Sequence, residues 1–503
     1  MRCVLLLLFA VACASRAADE QSTTRGRALA QQYCATCHLF PEPDALPKAA
    51  WTSIIQPAMA KWLGLEKPDY DKMPGGELVR AAALFPAGPL LTANDASAIW
   101  SYYARAAPEV LKPASPTPAP RVGLKQFRAR KINPAAGAPM ISLVKIEPAS
   151  EQLIAGDAFA GMLYTMDTTG GVLHRARLGS APVHLAATAT RSYLTLIGRL
   201  FPSDLAEGSV VSLSARSGVP QPRPVLEKLH RPVQTIPADL NQDGREDLVV
   251  VSFGHQLGHF SWFENRGDGQ FDERILLDRP GAVHAEVLDA NADGRPDLFV
   301  MMAQAREGIY LLLNEGRGRF ALTPLVEQPP TWGFAGFDLG DFNRDGKIDI
   351  LAVNGDNGDF SLPPKPYHGL LIYLNDGTNR FHEAFFYPLP GAYRAVARDF
   401  DADGDLDVAA IAFYPDFTAV TPESFVYLEN KGALKFDAHT MAESADGRWM
   451  TLDAGDLDGD GDIDLALGSF VRGPTTQPIP AALETRWRTN GAAVLLLENL
   501  RKR

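Results

Sequence analysis

A chain of 503 residues is too long for one ordinary domain and long enough to bury a large core. Its formal charge of −12, from 60 acidic against 48 basic residues, gives no basis for a nucleic-acid partner. Its four cysteines exclude a disulfide-stapled scaffold: Cys3 and Cys13 lie near the start and Cys34 and Cys37 fall in one motif, leaving no pair for a structural bridge.

Residues 1–18 predict an export signal, with Arg2 ahead of an apolar run over 4–12 that is too short to span a bilayer, then small residues. Two cleavage points fit. Ala10-Val11-Ala12-Cys13 resembles a bacterial lipoprotein box, which implies a lipid anchor on Cys13, whereas an ordinary peptidase would cut near Ala17. Either route puts the mature chain outside the cytoplasm, in the periplasm or at the outer membrane or cell surface.

Residues 22–108 predict a small all-α domain. Cys34-Ala35-Thr36-Cys37-His38 is a C-x-x-C-H sequence, the attachment signature of a c-type haem, in which two thiols add to the vinyl groups and the adjacent imidazole reaches the iron. A redox disulfide would not need the immediate His, and there is no second cysteine pair to complete a zinc site. The expected cofactor is one covalent haem c on Cys34 and Cys37, with His38 as proximal ligand. Helices are predicted over 26–32, 47–63 and 92–107, the last capped by Thr92 and carrying Ile99, Trp100, Tyr102 and Tyr103. The whole segment resembles a class I cytochrome c. That resemblance implies Met73, in a Met-Pro loop before the last helix, as distal ligand. The stretch HLFPEPDALPKAAWTSIIQPAMAKWLG resembles instead the haem segment of bacterial cytochrome–propeller fusions, whose Trp and following Pro-x-Met imply Met59. Met59 is the preferred ligand and Met73 its alternative.

Residues 109–122 are proline-rich without apolar periodicity and predict a semi-rigid spacer, long enough for the helical domain to range over the next domain. Beyond it one nine-residue pattern returns at intervals of 50 to 58 residues. The copies are Asp239-x-Asn241-x-Asp243-Gly244-Arg245-x-Asp247, Asp289-x-Asn291-x-Asp293-Gly294-Arg295-x-Asp297 and Asp341-x-Asn343-x-Asp345-Gly346-Lys347-x-Asp349. Asp399-x-Asp401-x-Asp403-Gly404-Asp405-x-Asp407 and Asp456-x-Asp458-x-Asp460-Gly461-Asp462-x-Asp464 complete the set. Side-chain oxygens at positions 1, 3, 5 and 9, and a position-7 carbonyl turned inward past the glycine, suit a hard cation that takes six to eight oxygens. Calcium is expected at about five sites, and five such ions would bring the net charge to about −2. An EF-hand would have Glu at position 12; here that position holds Val250, Val300, Ala352, Ala410 or Leu467, each inside an apolar strand.

Each copy has a strand on either side of its loop and two more strands joined by a turn such as NRGDGQF, NEGRGRF, NDGTNRF or ENKGALKF, rich in residues that tolerate positive φ. Residues 123–229 hold two further blade lengths without the loop, with strands over 183–187, 193–197 and 209–213. The units resemble FG-GAP/VCBS repeats, the calcium-binding propeller blades also seen in integrin α-chains, and the whole resembles exported bacterial fusions of a cytochrome to such a propeller. The implied fold is multidomain: a small all-α cytochrome c domain, then over 123–503 an all-β propeller of seven blades with calcium loops in the last five.

Alternating strand direction puts the five loops on one face and the insertions at 254–259, 354–368, 415–423 and 472–490 on the other, where binding is expected. Five residues ahead of each loop stand Gln234, His284, Gly336, Arg394 and Thr451. Of these, His284 and Arg394 are candidates for holding an anionic or hydroxylated ligand in the central channel, the alternative being bonds between neighbouring blades. Three functions fit: electron transfer with a redox partner protein or small-molecule substrate docked at the propeller rim, a propeller dehydrogenase with haem c as built-in electron acceptor, and a glycan-binding or adhesion module. The last leaves the haem unexplained, and no catalytic pair stands out for the second, so electron transfer is the expectation.

Overall fold

The computed structural model describes residues 23–114, 118–213, 222–357, 365–417, 423–475 and 478–501. The expected export signal, Cys13 included, lies outside them, as do 115–117 of the spacer and parts of the insertions at 354–368, 415–423 and 472–490. The repeats form seven antiparallel sheets in a seven-bladed β-propeller. The innermost strands of blades one to seven are Ile141–Glu147, Pro182–Ala187, Pro232–Ala238, Ala282–Leu288, Phe334–Gly340, Ala392–Arg398 and Trp449–Gly455.

Each second strand is an unbroken apolar run because blades cover both of its faces. Asp247–Ser252, Asp297–Met302, Asp349–Asn354, Asp407–Ala412 and Asp464–Ser469 are buried at every residue. The cores lie between neighbours rather than at one centre. Val249, Phe260 and Trp262 of blade three meet Ala285, Val300 and Met302 of blade four, and Ile141, Leu153 and Tyr164 of blade one meet Ala466, Val494 and Leu496 of blade seven. Each innermost strand also carries an irregularity at its second residue, the same in all seven blades, which re-aims the next side chain at the axis.

The ring closes with a strand from its far end. Phe127–Ile132 pairs antiparallel with Val494–Asn499 as the fourth strand of blade seven, so these residues do not belong to the first blade length as the sequence order suggested. In chain order alone blade seven would have three strands; the borrowed fourth strand completes it and ties the two ends of the propeller together. Arg121–Val122, assigned to the spacer from sequence, adds a fifth strand parallel to Phe436–Thr440 of blade six.

The N-terminal region is a short helical unit: α1 (23–34), α2 (Lys48–Ala50) running through a π turn (Trp51–Ile55) into α3 (Gln56–Trp62), then α4 (Gly76–Ala81) and α5 (Ala93–Ala106). Thr92 caps α5, its hydroxyl accepting from the Asp95 N–H at 3.2 Å. The buried face of α5 presents Tyr103, whose ring stacks on Trp51 at 4.2 Å. A sixth helix, α6 (Ala481–Asn490), lies inside the last insertion and seats Trp487 in the core, its Nε1 donating to Ala445 O at 3.2 Å.

The helical unit rests on the propeller instead of ranging on its spacer. The Asp204 N–H donates to Pro74 O at 2.8 Å, the Tyr367 hydroxyl reaches Ala45 O at 3.1 Å, and Arg306 donates to Cys37 O and Thr36 O at 3.3 and 3.4 Å. Asp204, Arg306 and Tyr367 stand in loops between second and third strands, on the face opposite the acidic loops. Gly75, at φ +86°, lies so close that an added Cβ would sit 2.5 Å from the Asp204 carbonyl carbon.

Candidate functional site

In the acidic loop of blade three, both oxygens of Asp239 accept backbone N–H groups, from Asp243 at 3.1 Å and Gly244 at 2.8 Å, folding the loop back on its first residue. Asn241 Oδ1 accepts from the Asp243 N–H at 3.0 Å and Asp243 Oδ1 from the Arg245 N–H at 2.9 Å. The loops after Asp289 and Asp341 repeat these bonds, and those after Asp399 and Asp456 keep the bond from the position-6 glycine.

Position 9 is different in kind. Asp247, Asp297, Asp349, Asp407 and Asp464 are buried, and one oxygen of each accepts the N–H of an Asn on the third strand: Asn265, Asn314, Asn375, Asn430 and Asn499, at 2.7 to 2.9 Å. In four loops the other oxygen takes the position-2 N–H, and in blade six it takes the Tyr427 hydroxyl at 2.6 Å. Each Asn returns its Nδ2 to the position-8 carbonyl, and Asn314 and Asn499 also reach back to Leu240 O and Phe400 O of the preceding blades. The sequence marked Asn265, Asn314, Asn375 and Asn430 only as turn formers and did not single out Asn499; their burial as clamps was missed. The signal available was Asn, and no other turn residue, at every copy.

Carboxylate oxygens cluster in the last two loops, where position 3 is Asp. One oxygen each of Asp399, Asp401 and Asp403, and of Asp456, Asp458 and Asp464, lie within 4.8 Å of one another, and Asp399 Oδ1 is buried without a partner. Burial raises Asp407 and Asp464 to about 6, and burial with Asp460 and Asp464 nearby raises Asp462 to about 7. An all-oxygen set of this charge fits a hard divalent cation.

The frame that carries these loops is also recognisable in sequence: residues 239–300 and 289–352 match the family model of the FG-GAP-like repeat. The chain carries FG-GAP-like repeats. No curated protein matches it. Among solved structures it is similar to Sqt1 of Saccharomyces cerevisiae, at 8% identity and a TM-score of 0.42 over 76% of this chain and 100% of that one. It is also similar to BBS1N, solved in complex with ARL6DN, at 12% identity and a TM-score of 0.46 over 75% and 97%.

On the axis of the propeller, the irregular strand position holds Leu143, His184, Gln234, His284, Gly336, Arg394 and Thr451 in turn. Gln234 bonds the backbone of Ala285 in the next blade, donating to its carbonyl at 3.0 Å and accepting from its N–H at 2.8 Å, so its role is between blades. The Thr451 hydroxyl lies against Gly468 of its own blade. His284 and Arg394, two blades apart, do meet. The Arg394 guanidinium lies against His284 Nδ1, and His284 Nε2 bonds Glu286 at 2.9 Å. Gly336 permits this: a Cβ there would lie 3.2 Å from Arg394 Nη1. His184, not singled out from sequence, has a buried Nδ1 without a partner, and burial, with Lys145, His284 and Arg394 around it, holds it down at about 3.

In the helical unit, Cys34 and Cys37 are free thiols, Cys34 half-buried and Cys37 exposed. Burial, with Cys37 alongside, pushes the Cys34 thiol up to about 11. His38 Nδ1 bonds Leu39 O at 2.8 Å; burial lowers its proton affinity, and the Arg306 charge adds to this. Cys34, Phe40 and Met59 pack against one apolar core with Trp51 and Tyr103. Met73 stands beside Pro74, at the seam with the propeller.

Proposed function

We propose that this is an exported electron-transfer protein: Cys34 and Cys37 hold one covalent haem c, His38 and Met59 are its axial ligands, and calcium occupies the five acidic loops. The observation that carries the reading is His38. A Nδ1–H directed to Leu39 O fixes the tautomer and leaves Nε2 for a metal, as an axial histidine requires. Haem would supply one-electron transfer through its iron. The chain itself tethers it at Cys34 and Cys37, orients His38, and walls it with Phe40 and Met59, while Met73, facing the propeller seam, is the weaker distal candidate.

The propeller binds a redox partner protein or a small-molecule substrate on the face with the long second-to-third strand loops, where the helical unit also sits. In the channel, Arg394 forms no ion pair with a carboxylate among the described residues, and with His284 it suits an anionic group. Export follows from the leader over 1–18, with Cys13 as lipid anchor if the lipoprotein box is used.

The test is expression with the natural leader and a c-type haem maturation system. A denaturing gel stained for haem peroxidase activity should mark the band, and Cys37→Ala should weaken or abolish it. An unstained wild-type band would sink the reading. A further absorbing cofactor in the purified protein would turn the assignment towards a dehydrogenase.

A further inference from the structure

The five acidic loops divide into two kinds at two positions at once. In blades three, four and five, position 3 is Asn (Asn241, Asn291, Asn343) and position 7 is basic (Arg245, Arg295, Lys347). Both side chains converge on the position-5 carboxylate. Asn241 Nδ2 donates to Asp243 at 3.0 Å and Asn291 Nδ2 to Asp293 at 2.8 Å, while Arg245 and Arg295 pair with the same two carboxylates. The arginines are held in place from behind, with Nε on Asn265 O at 2.8 Å and on Asn314 O at 2.6 Å. Lys347 reaches Asp345 at 3.0 Å. These three loops contain their own counter-ion.

In blades six and seven both positions are Asp: Asp401 with Asp405, and Asp458 with Asp462. Each loop then carries five carboxylates and no cation of its own. Arg344 of the preceding loop pairs with Asp405 at 2.7 Å, but position 7 offers the metal its carbonyl, not its side chain. No Lys or Arg forms an ion pair with Asp399, Asp401, Asp403, Asp456, Asp458, Asp460 or Asp464 among the described residues. Blades six and seven are also the two that take a strand from ahead of blade one, Arg121–Val122 and Phe127–Ile132.

We propose that calcium acts chiefly at the loops of blades six and seven, where it locks the seam of the ring, and that the loops of blades three to five, with fewer carboxylates and a counter-ion of their own, fill only at much higher calcium. This rests on the reading of the loops as calcium sites. Without the ion, five carboxylates crowd each seam loop and repel; with it, the repulsion becomes attraction. In the other loops the ion must displace a fixed cation or bind beside it, which weakens binding by about tenfold or more per positive charge.

Calcium chloride is titrated calorimetrically into the full chain after EDTA treatment and desalting. Two sites should fill first, separated by at least about tenfold from the rest. Asp405→Arg should move one site from the tight group to the weak one, and Arg295→Ala should move one weak site towards the tight group. Hydrogen exchange of the unmodified chain in EDTA should quicken over 121–132, 392–412 and 449–499 and stay unchanged over 232–302. That measurement and Arg295→Ala still decide the matter if Asp405→Arg does not fold. Five equivalent sites, or loosening spread evenly over all blades, overturns the division and leaves the calcium reading standing. No calcium uptake at all overturns both.

Discussion

Asp297→Asn separates the framework role of position 9 from any metal role. The carboxylate is fully buried, with one oxygen on the Asn314 N–H at 2.7 Å and the other on the Ala290 N–H at 2.9 Å. An amide of the same shape keeps one acceptor and turns an NH2 group towards the other donor. A hydrogen bond to a charged acceptor contributes roughly 1.5–3 kcal/mol, and an orphaned buried N–H costs roughly 1–3 kcal/mol more. Removing a buried charge offsets part of this, because burial holds Asp297 above the usual carboxylate range. The expected loss is about 3 kcal/mol, large beside the total stability of a domain. Asp293→Asn in the same loop alters an exposed position and should lose less than about 1 kcal/mol. Both are measured by urea unfolding in EDTA, so that metal contributes nothing to the difference. Equal midpoints for the two variants would refute the clamp.

Three further outcomes are expected. Met59→Ala should remove the long-wavelength sulfur–iron absorbance of the oxidised haem protein and Met73→Ala should spare it; the reverse would hand the ligand role to Met73. Gly75→Val should release the helical unit, because the side chain has no room against Asp204 and the backbone is left-handed there, so limited proteolysis should cut the spacer over 109–120 faster while the propeller melts unchanged. An unaltered cleavage rate would mean that Gly75 does not govern the docking. His184 is held neutral at about 3, so the unfolded chain takes up a proton there that the folded chain refuses. Stability should therefore fall as pH drops below about 6.5, by up to about 1.4 kcal/mol per unit from this group, and His184→Gln should flatten the slope. Identical slopes would show that His184 is protonated in the fold.

The blades were legible because their signal is local and repeated. A glycine at position 6 of each acidic loop and an apolar run after it recur five times and an Asn-led turn four times, and the count of seven blades came from spacing alone. The closing strand was not legible. Phe127–Ile132 is buried only at its two ends and lacks a clean alternation, and its partner lies about 370 residues away, as the Arg128–Glu498 pair across it shows. Asn314 and its counterparts read as turn residues because nothing local distinguishes a turn former from a buried clamp. His284 and Arg394 stand out by register, but their meeting passes across Gly336 of the blade between them, where an added Cβ would crowd Arg394 Nη1 at 3.2 Å.

The hydrogen bonds that seat the helical unit share a property with consequences for how the two parts can change. On the helical side the acceptors are main-chain carbonyls, those of Thr36, Cys37, Ala45 and Pro74; on the propeller side the donors are the side chains of Arg306 and Tyr367 and one N–H of Asp204. A carbonyl is present whatever residue bears it. Apart from Gly75, which must stay without a Cβ against Asp204, the residues that lend these carbonyls are thus free to drift in sequence while the seat survives. Another helical unit with the same backbone course could be transplanted onto this propeller and find its place, whereas losing Arg306 and Tyr367 would leave even the native unit with one bond of the set.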